Sequence, residues 1–236
     1  MTSEIPAAAS AAPTAATASA APSRGIPRSL FIYAVLYGGM VCIAGVLGAK
    51  QVTLPFDLAV EAGIFPFLLL VVLSSTVAEL HGNETANRLV RFGFIPLITA
   101  IALIWLVIQL PTDPGMYEPA KEAFPIILGQ SWRLMAAGIV AYGVSQFLNV
   151  YLFAKLRGSE TRSRGGLWLA GRAAIASAIS QIVDTLIFIT ISFFGVRPIQ
   201  ELIIGQATAK VVLSIVLVPV LITALVTLGR RLDARA

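Results

Sequence analysis

The sequence predicts an all-α integral membrane protein with six transmembrane helices and both termini in the cytoplasm. Three observations lead to this fold class. Of the residues, 57% are hydrophobic and 12% are charged, the apolar residues fall into six long runs, and the basic residues cluster between alternate runs. Soluble domains average about 25% charged residues, so this chain has too few charges to cover a water-exposed surface.

The chain divides into a long apolar domain and two polar ends. Residues 1–28 are rich in Ala, Pro, Ser and Thr and have almost no large side chains to bury, so we expect a disordered cytoplasmic tail. This stretch has no basic start followed by an apolar run, and it therefore does not look like a secretory signal. Residues 29–228 form the predicted transmembrane domain, and residues 229–236 form a basic cytoplasmic tail.

The six apolar runs have the length of membrane spans. Most contain about 18–25 residues, enough to cross about 30 Å of hydrocarbon at 1.5 Å per residue. The second run is the shortest, and the last is long enough to tilt or to project beyond the bilayer. The predicted spans are 29–49, 63–80, 90–110, 133–153, 173–195 and 201–228.

The basic residues predict the orientation of these spans. With the N-terminus inside, the inner segments hold twelve Lys and Arg residues and the outer segments hold four. Cytoplasmic loops carry such an excess. The same clustering argues against a basic surface for binding nucleic acid, although the formal net charge is +5.

The outer connection between the third and fourth spans contains an amphipathic stretch. Turn residues come first, and residues from Tyr117 to Leu128 alternate apolar and polar side chains with helical spacing. We expect a short interfacial helix here. A plain connecting loop is the alternative.

The fourth and fifth spans carry the same polar pattern. In "SQFLNVYLF" (145–153) Asn149 follows Gln146 by three positions, and in "SQIVDTLIF" (180–188) Asp184 follows Gln181 by three. At 1.5 Å per residue, Gln146 and Gln181 lie about 20 Å from the outer surface and Asp184 about 16 Å. These faces, with Ser180, predict one polar pocket near the midplane. The alternatives are interhelical hydrogen bonds alone and a chance similarity of the two motifs. A motif repeated in antiparallel spans is also what an inverted-topology transporter shows.

Asp184 is the strongest single signal, because a carboxylate inside a membrane needs a cation, donors or a proton. Lys210 lies about 14 Å deep in the sixth span, and Gln206 lies one helical turn before it. Depth leaves the rotation of each helix undetermined, so a pairing of Asp184 with Lys210 stays open. We favour a ligand-facing pair over a structural one, because buried ion pairs add little stability.

No residue pattern indicates catalysis, a metal site or a cofactor. The chain contains one histidine and one cysteine, and both lie far from Asp184 in sequence, which fits neither a metal centre nor a nucleophile dyad. We therefore expect that the protein is not an enzyme.

The chain resembles the queuosine precursor transporters, which are also described as vitamin-uptake-like transporters. The resemblance covers residues 30–228. It is carried by "AELHGNETANRLVRFGF" (78–94), "RLMAAGIVAYGVSQFLNVYLF" (133–153), "SQIVDTLIFITISFFG" (180–195) and Lys210. The chain departs from the family pattern in three places. Ser75 and Asn149 stand where the family usually has Asp, and the Asp-Thr-Pro that the family commonly has late in the last span is missing around Pro219.

The resemblance implies a multi-pass protein of the bacterial inner membrane that takes up the 7-deazaguanines preQ0 and/or preQ1 for queuosine synthesis in tRNA. It implies a small-molecule partner and membrane lipid, no direct contact with nucleic acid, and leaves a homo-oligomer open. A guanine-like edge offers two adjacent N–H donors to one carboxylate, and Tyr142 is a candidate for stacking on the ring. The predicted substrate-binding residues are Asp184, Gln181, Ser180, Gln146, Asn149, Lys210, Tyr142 and Gln206.

Two other functions compete with this one. The first is the substrate-binding membrane subunit of an energy-coupling-factor vitamin importer, which has a similar size and six helices but needs a separate ATPase module. The second is a membrane scaffold that transports nothing. Uptake by this chain alone would argue against both.

Overall fold

A computed structural model describes residues 25–54, 58–129, 132–157, 166–196 and 198–234. The predicted disordered tail falls almost entirely outside these residues, as does the end of the basic C-terminal tail. The described residues contain seven helices and one hairpin of two strands. Six of the helices are long and apolar enough to cross a membrane, which confirms the predicted six-span, all-α fold.

The six spanning helices match the predicted runs with small shifts at their ends. The last helix is the longest, at 35 residues, which corresponds to about 52 Å and exceeds the thickness of the hydrocarbon. In chain order they are α1 (Arg28–Gly48), α2 (Ile64–His81), α3 (Asn83–Gln109), α5 (Trp132–Lys155), α6 (Gly166–Phe193) and α7 (Gln200–Ala234).

The shorter helix α4 (Glu118–Leu128) occupies the connection between α3 and α5. It begins one residue after the predicted start at Tyr117 and ends at the predicted Leu128. Pro119 lies in its first turn, where a missing backbone N–H costs nothing. Glu118 pairs with Lys121 at 2.6 Å on its surface. None of its residues is buried, and its position at the membrane surface stays a prediction.

The connection between α1 and α2 contains an antiparallel hairpin, which the sequence reading missed. Strands β1 (Gln51–Leu54) and β2 (Leu58–Glu61) pair with Gln51 opposite Glu61. A further backbone bond from Ala62 N to Lys50 O (2.8 Å) extends the ladder. In the sequence, two short runs separated by a few residues that include Pro and Asp are the signal that predicts such a hairpin.

Helix α2 is the centre of the bundle. It contacts all five other spanning helices, and an unbroken stretch from Leu70 to Ala78 is buried. A helix that is apolar on every side is stable only when other elements surround it. The polar residues within this stretch, Ser74, Ser75 and Thr76, are therefore fully enclosed by protein.

Polar contacts join the helices at the end of the bundle where α1 begins and α7 ends. Arg172 of α6 forms an ion pair with Glu79 of α2 and lies over the ring of Phe153 of α5, 4.1 Å from its centroid. At the same end, the Ser29 hydroxyl contacts His81 Nε2 (2.7 Å) and donates to Asp233 Oδ2 (2.7 Å). These contacts join the C-terminal turn of α2 to α1, α5, α6 and α7.

Candidate functional site

A cavity of about 440 Å³ lies in the half of the bundle next to the hairpin and α4. Its walls come from the C-terminal halves of α1, α3 and α6, the start of α2, the N-terminal half of α5 and the first turns of α7. Most of the lining is aliphatic or aromatic, and a few polar side chains reach it. Binding sites for small molecules have this size and composition.

Asp184 and Lys210 meet at this cavity. Lys210 Nζ donates to Asp184 Oδ2 at 2.9 Å, and the Ser145 hydroxyl donates to Asp184 Oδ1 at 3.2 Å. The Asp184 side chain is 7% exposed and that of Lys210 is 12% exposed. Each carboxylate oxygen thus has a donor, and the pair that depth matching left open is formed. An ion pair at this depth is tolerated because its partners satisfy one another.

Gln206 also lines the cavity, one turn before Lys210 on α7. Its Nε2 donates to Glu61 Oε1 at 3.4 Å, and Glu61 itself lines the cavity. Lys210 Nζ lies 5.8 Å from the ring centroid of Phe67. The sequence analysis did not predict Glu61 or Phe67 as site residues. Glu61 reaches the cavity only because the hairpin positions it there.

Tyr142 lines the cavity with a fixed ring. Its hydroxyl donates to Val90 O at 3.1 Å, so the Tyr37 hydroxyl is left to donate to Tyr142 Oη at 3.0 Å. Phe94 packs edge-on against the Tyr142 ring, with 4.9 Å between centroids. A Cβ at Gly93 would lie only 2.1 Å from Tyr142 Oη, so the absent side chain of Gly93 makes room for the tyrosine pair.

Gln146 and Asn149 turn toward α2 and are not among the residues that line the cavity. Gln146 Oε1 accepts from Ser74 at 3.3 Å, and Asn149 Nδ2 donates to Ser75 Oγ at 3.0 Å. Asn149 and Ser75, the two positions at which the resemblance leads us to expect Asp, therefore contact each other as an amide and a hydroxyl. Contact of Gln146 and Asn149 with substrate stays a prediction.

Ser180 and Gln181 are fully buried between helices and also lie outside the lining. The Ser180 hydroxyl donates to Ser177 O at 2.9 Å. Both amide atoms of Gln181 and Nε2 of Gln146 have no hydrogen-bond partner among the described residues. An unsatisfied buried polar group costs about 1–3 kcal/mol. Their role in binding substrate also stays a prediction.

Residues 61–224 match the family model described as "Putative vitamin uptake transporter". The chain belongs to this family. The matched segment begins at Glu61 and contains Tyr142, Asp184, Gln206 and Lys210. The protein is therefore a transporter, embedded as a multi-pass protein in the bacterial inner membrane, and its partner is a small molecule.

One relative carries a more specific name. Over 167 residues the chain is 26% identical to a protein of Bacillus subtilis (strain 168) named "Probable queuosine precursor transporter". The match covers 70% of this chain and 71% of the relative. No solved structure matches this chain.

Proposed function

We propose that this transporter takes up queuosine precursors, the 7-deazaguanines preQ0 and/or preQ1, for queuosine synthesis in tRNA. The proposed binding site is the cavity beside the hairpin. The observation that carries the proposal is the pair formed by Asp184 and Lys210 at the cavity wall. The name of the Bacillus subtilis relative supports the substrate class.

The pair fits the edge of a guanine-like ring. That edge presents two adjacent N–H donors and one carbonyl acceptor. A carboxylate such as that of Asp184 accepts two donors at once, and an ammonium such as that of Lys210 donates to a carbonyl. Because the pair is already formed, the ligand meets acceptors and donors held in place, which lowers the cost of ordering them.

The geometry also fits one state of an alternating-access carrier. If both termini are cytoplasmic, the cavity faces the outside, and the contacts of Glu79 with Arg172 and of Ser29 with Asp233 close the inner end. Transport then requires these contacts to open. In this proposal the unsatisfied amides of Gln146 and Gln181 contact the substrate in the inward-facing state, where they gain the partners they lack.

The test is the queuosine content of tRNA in bacteria that neither synthesise nor import the precursors. Cells carry this gene alone and receive a low concentration of preQ0 or preQ1. We expect the wild type to restore queuosine and Asp184→Asn to abolish it at equal membrane expression. Ser192→Ala is the matched control, because Ser192 is also buried on α6 but lacks a hydrogen-bond partner among the described residues.

Failure of both precursors with a correctly inserted protein would contradict the proposal. Uptake only after an ATPase module is supplied would favour an importer subunit. In the proposed function the chain is a carrier and catalyses no reaction.

A further inference from the structure

A second buried ion pair lies at the end of the bundle away from the cavity. Arg172 of α6 pairs with Glu79 of α2 and covers the ring of Phe153 of α5. None of these three residues is among those that line the cavity. On α6, Arg172 lies twelve residues before Asp184, which corresponds to about 18 Å along the helix. One helix therefore contributes a charged residue to an ion pair beside the cavity and to another at the inner end.

The guanidinium of Arg172 has more donors than partners. Its Nη2 donates to Glu79 Oε2, whereas Nε and Nη1 are buried and have no hydrogen-bond partner among the described residues. A guanidinium has five N–H donors in one plane. Arg172 is 4% exposed, so the free donors are also shielded from bulk water. Because unsatisfied buried donors are unfavourable, this place favours a ligand that brings an acceptor.

Buried polar side chains lie along the helices between the two ion pairs. Gln181, Ser180 and Ser177 occupy this stretch of α6. Both amide atoms of Gln181, Nε2 of Gln146 and Oγ1 of Thr76 have no hydrogen-bond partner within the part of the chain that the structure describes. Burying polar groups without partners is costly, and polar residues inside a membrane protein commonly mark the route of a polar substrate. Such a route would run from the cavity to Arg172.

We propose that Glu79 and Arg172 form a second binding site for the same guanine-like substrate, where it is held before release at the inner end. This inference rests on the proposed function. The pair offers the same chemistry as Asp184 and Lys210, because its carboxylate accepts two adjacent N–H donors and its guanidinium donates to a carbonyl. The ring of Phe153 stacks on the guanidinium and holds its plane in place.

The site links opening of the inner end to the presence of substrate. Separating Glu79 from Arg172 leaves a buried guanidinium without its counter-charge, which is unfavourable. A substrate that reaches the pair donates to Glu79 and accepts from Arg172, and these contacts offset the loss. Because the substrate binds the opened pair better than the closed one, the loaded carrier opens inward more readily than the empty carrier.

The test compares uptake into right-side-out and inverted membrane vesicles, with whichever labelled precursor the wild type transports. Right-side-out vesicles present the outer face to the substrate, and inverted vesicles present the inner face. Arg172→Lys keeps a positive charge opposite Glu79 but removes the Nε and Nη1 donors. We expect the half-saturating concentration at the inner face to rise about 10–100-fold, as for loss of a hydrogen bond to a charged group. The value at the outer face should stay close to that of the wild type.

Glu79→Asp is a second variant, which keeps the charge but draws the carboxylate back, and it should act on the same face. It decides the question if Arg172→Lys does not accumulate in the membrane. Arg133→Lys is the matched control, because Arg133 donates to Ile191 O and Phe194 O at the other end of the bundle. It should leave the inner-face value unchanged.

The alternative is that the inner pair only holds the helices together. Less folded protein with unchanged half-saturating concentrations, or an equal change at both faces, would then be observed. Either result would overturn the second site while preserving the proposed function. If the folded wild type transports neither preQ0 nor preQ1 from either face, the proposed function fails and the second site fails with it.

Discussion

Asp184 of α6 and Lys210 of α7 form a buried ion pair at the wall of the cavity, with 2.9 Å between Oδ2 and Nζ. Transferring two charges from water into the protein costs about as much free energy as their mutual attraction returns. The pair therefore adds little to the stability of the fold. Its place beside a cavity of ligand size, in a chain of a transporter family, supports the proposal that it binds substrate.

Removing the pair one charge at a time separates structure from function. Asp184→Asn or Lys210→Met alone leaves an uncompensated charge, and we expect each to lower the free energy of unfolding by about 3–5 kcal/mol. The double variant should recover most of this loss but bind no substrate. Thermal unfolding in detergent and ligand titration measure the two effects. A double variant that binds normally would show that the pair is structural.

Gly93→Ala should disturb the cavity wall from outside the cavity. A methyl group there meets Tyr142 Oη and Tyr37 Cε1, at 2.1 and 2.8 Å, so both rings must move. Overpacking of this kind costs about 1–3 kcal/mol, and we expect weaker ligand binding as well because Tyr142 lines the cavity. Thermal unfolding and ligand titration check both effects.

The control for this substitution is Gly39→Ala on α1, where a Cβ has no neighbour within 4 Å. In a helix, alanine is more favourable than glycine by about 1 kcal/mol. This variant should therefore be as stable as the wild type or slightly more so. If Gly93→Ala behaves in the same way, the tyrosine pair is not tightly held.

The ion pair at the opposite end of the bundle should behave as a coupled unit. Arg172 is 4% exposed and pairs with Glu79. We expect Glu79→Gln to destabilise the protein by about 3–5 kcal/mol, because it leaves the buried Arg172 without its partner. Arg172→Met should cost less, because the side chain of Glu79 is 14% exposed. In a double-mutant cycle the combined loss should be smaller than the sum by at least about 1 kcal/mol. Additive losses would mean that the two residues act independently.

The single cysteine provides a probe of the orientation. Cys42 lines the cavity and is the one cysteine of the chain. If the cavity faces outward, a membrane-impermeant thiol reagent added to whole cells should label Cys42, and a bound precursor should slow the labelling. Cys42→Ser is the control without a reactive thiol. Labelling only from the cytoplasmic side would contradict both the orientation and the outward-facing state.

The spans and the depth of their polar residues were predictable from the sequence. Hydrocarbon thickness fixes the length of each apolar run, and the helical rise converts sequence position into depth. The similar depths of Asp184 and Lys210 therefore follow from their positions in the chain alone. Helix α4 was predictable to within one residue at its start, because its amphipathic stretch is bounded by turn residues.

The rotation of each helix about its axis was not predictable from the sequence, and neither was the hairpin in the connection between α1 and α2. The offsets within "SQFLN" put Ser145, Gln146 and Asn149 close together, but Ser145 turns to Asp184 while Gln146 and Asn149 turn to α2. Only packing against neighbouring helices determines these directions. Glu61 was missed because its place over the bundle depends on the hairpin, which forms from two short runs with little periodic signal.

The most direct test of the central claim is uptake of radiolabelled preQ1 by proteoliposomes containing only this purified chain. We predict uptake above that of empty liposomes for the wild type and Ser192→Ala, and none for Asp184→Asn reconstituted to the same density. Such a result would establish a carrier that needs no ATPase module and uses Asp184. Equal uptake by wild type and Asp184→Asn, or no uptake of preQ1 or preQ0 by correctly folded wild type, would contradict the account.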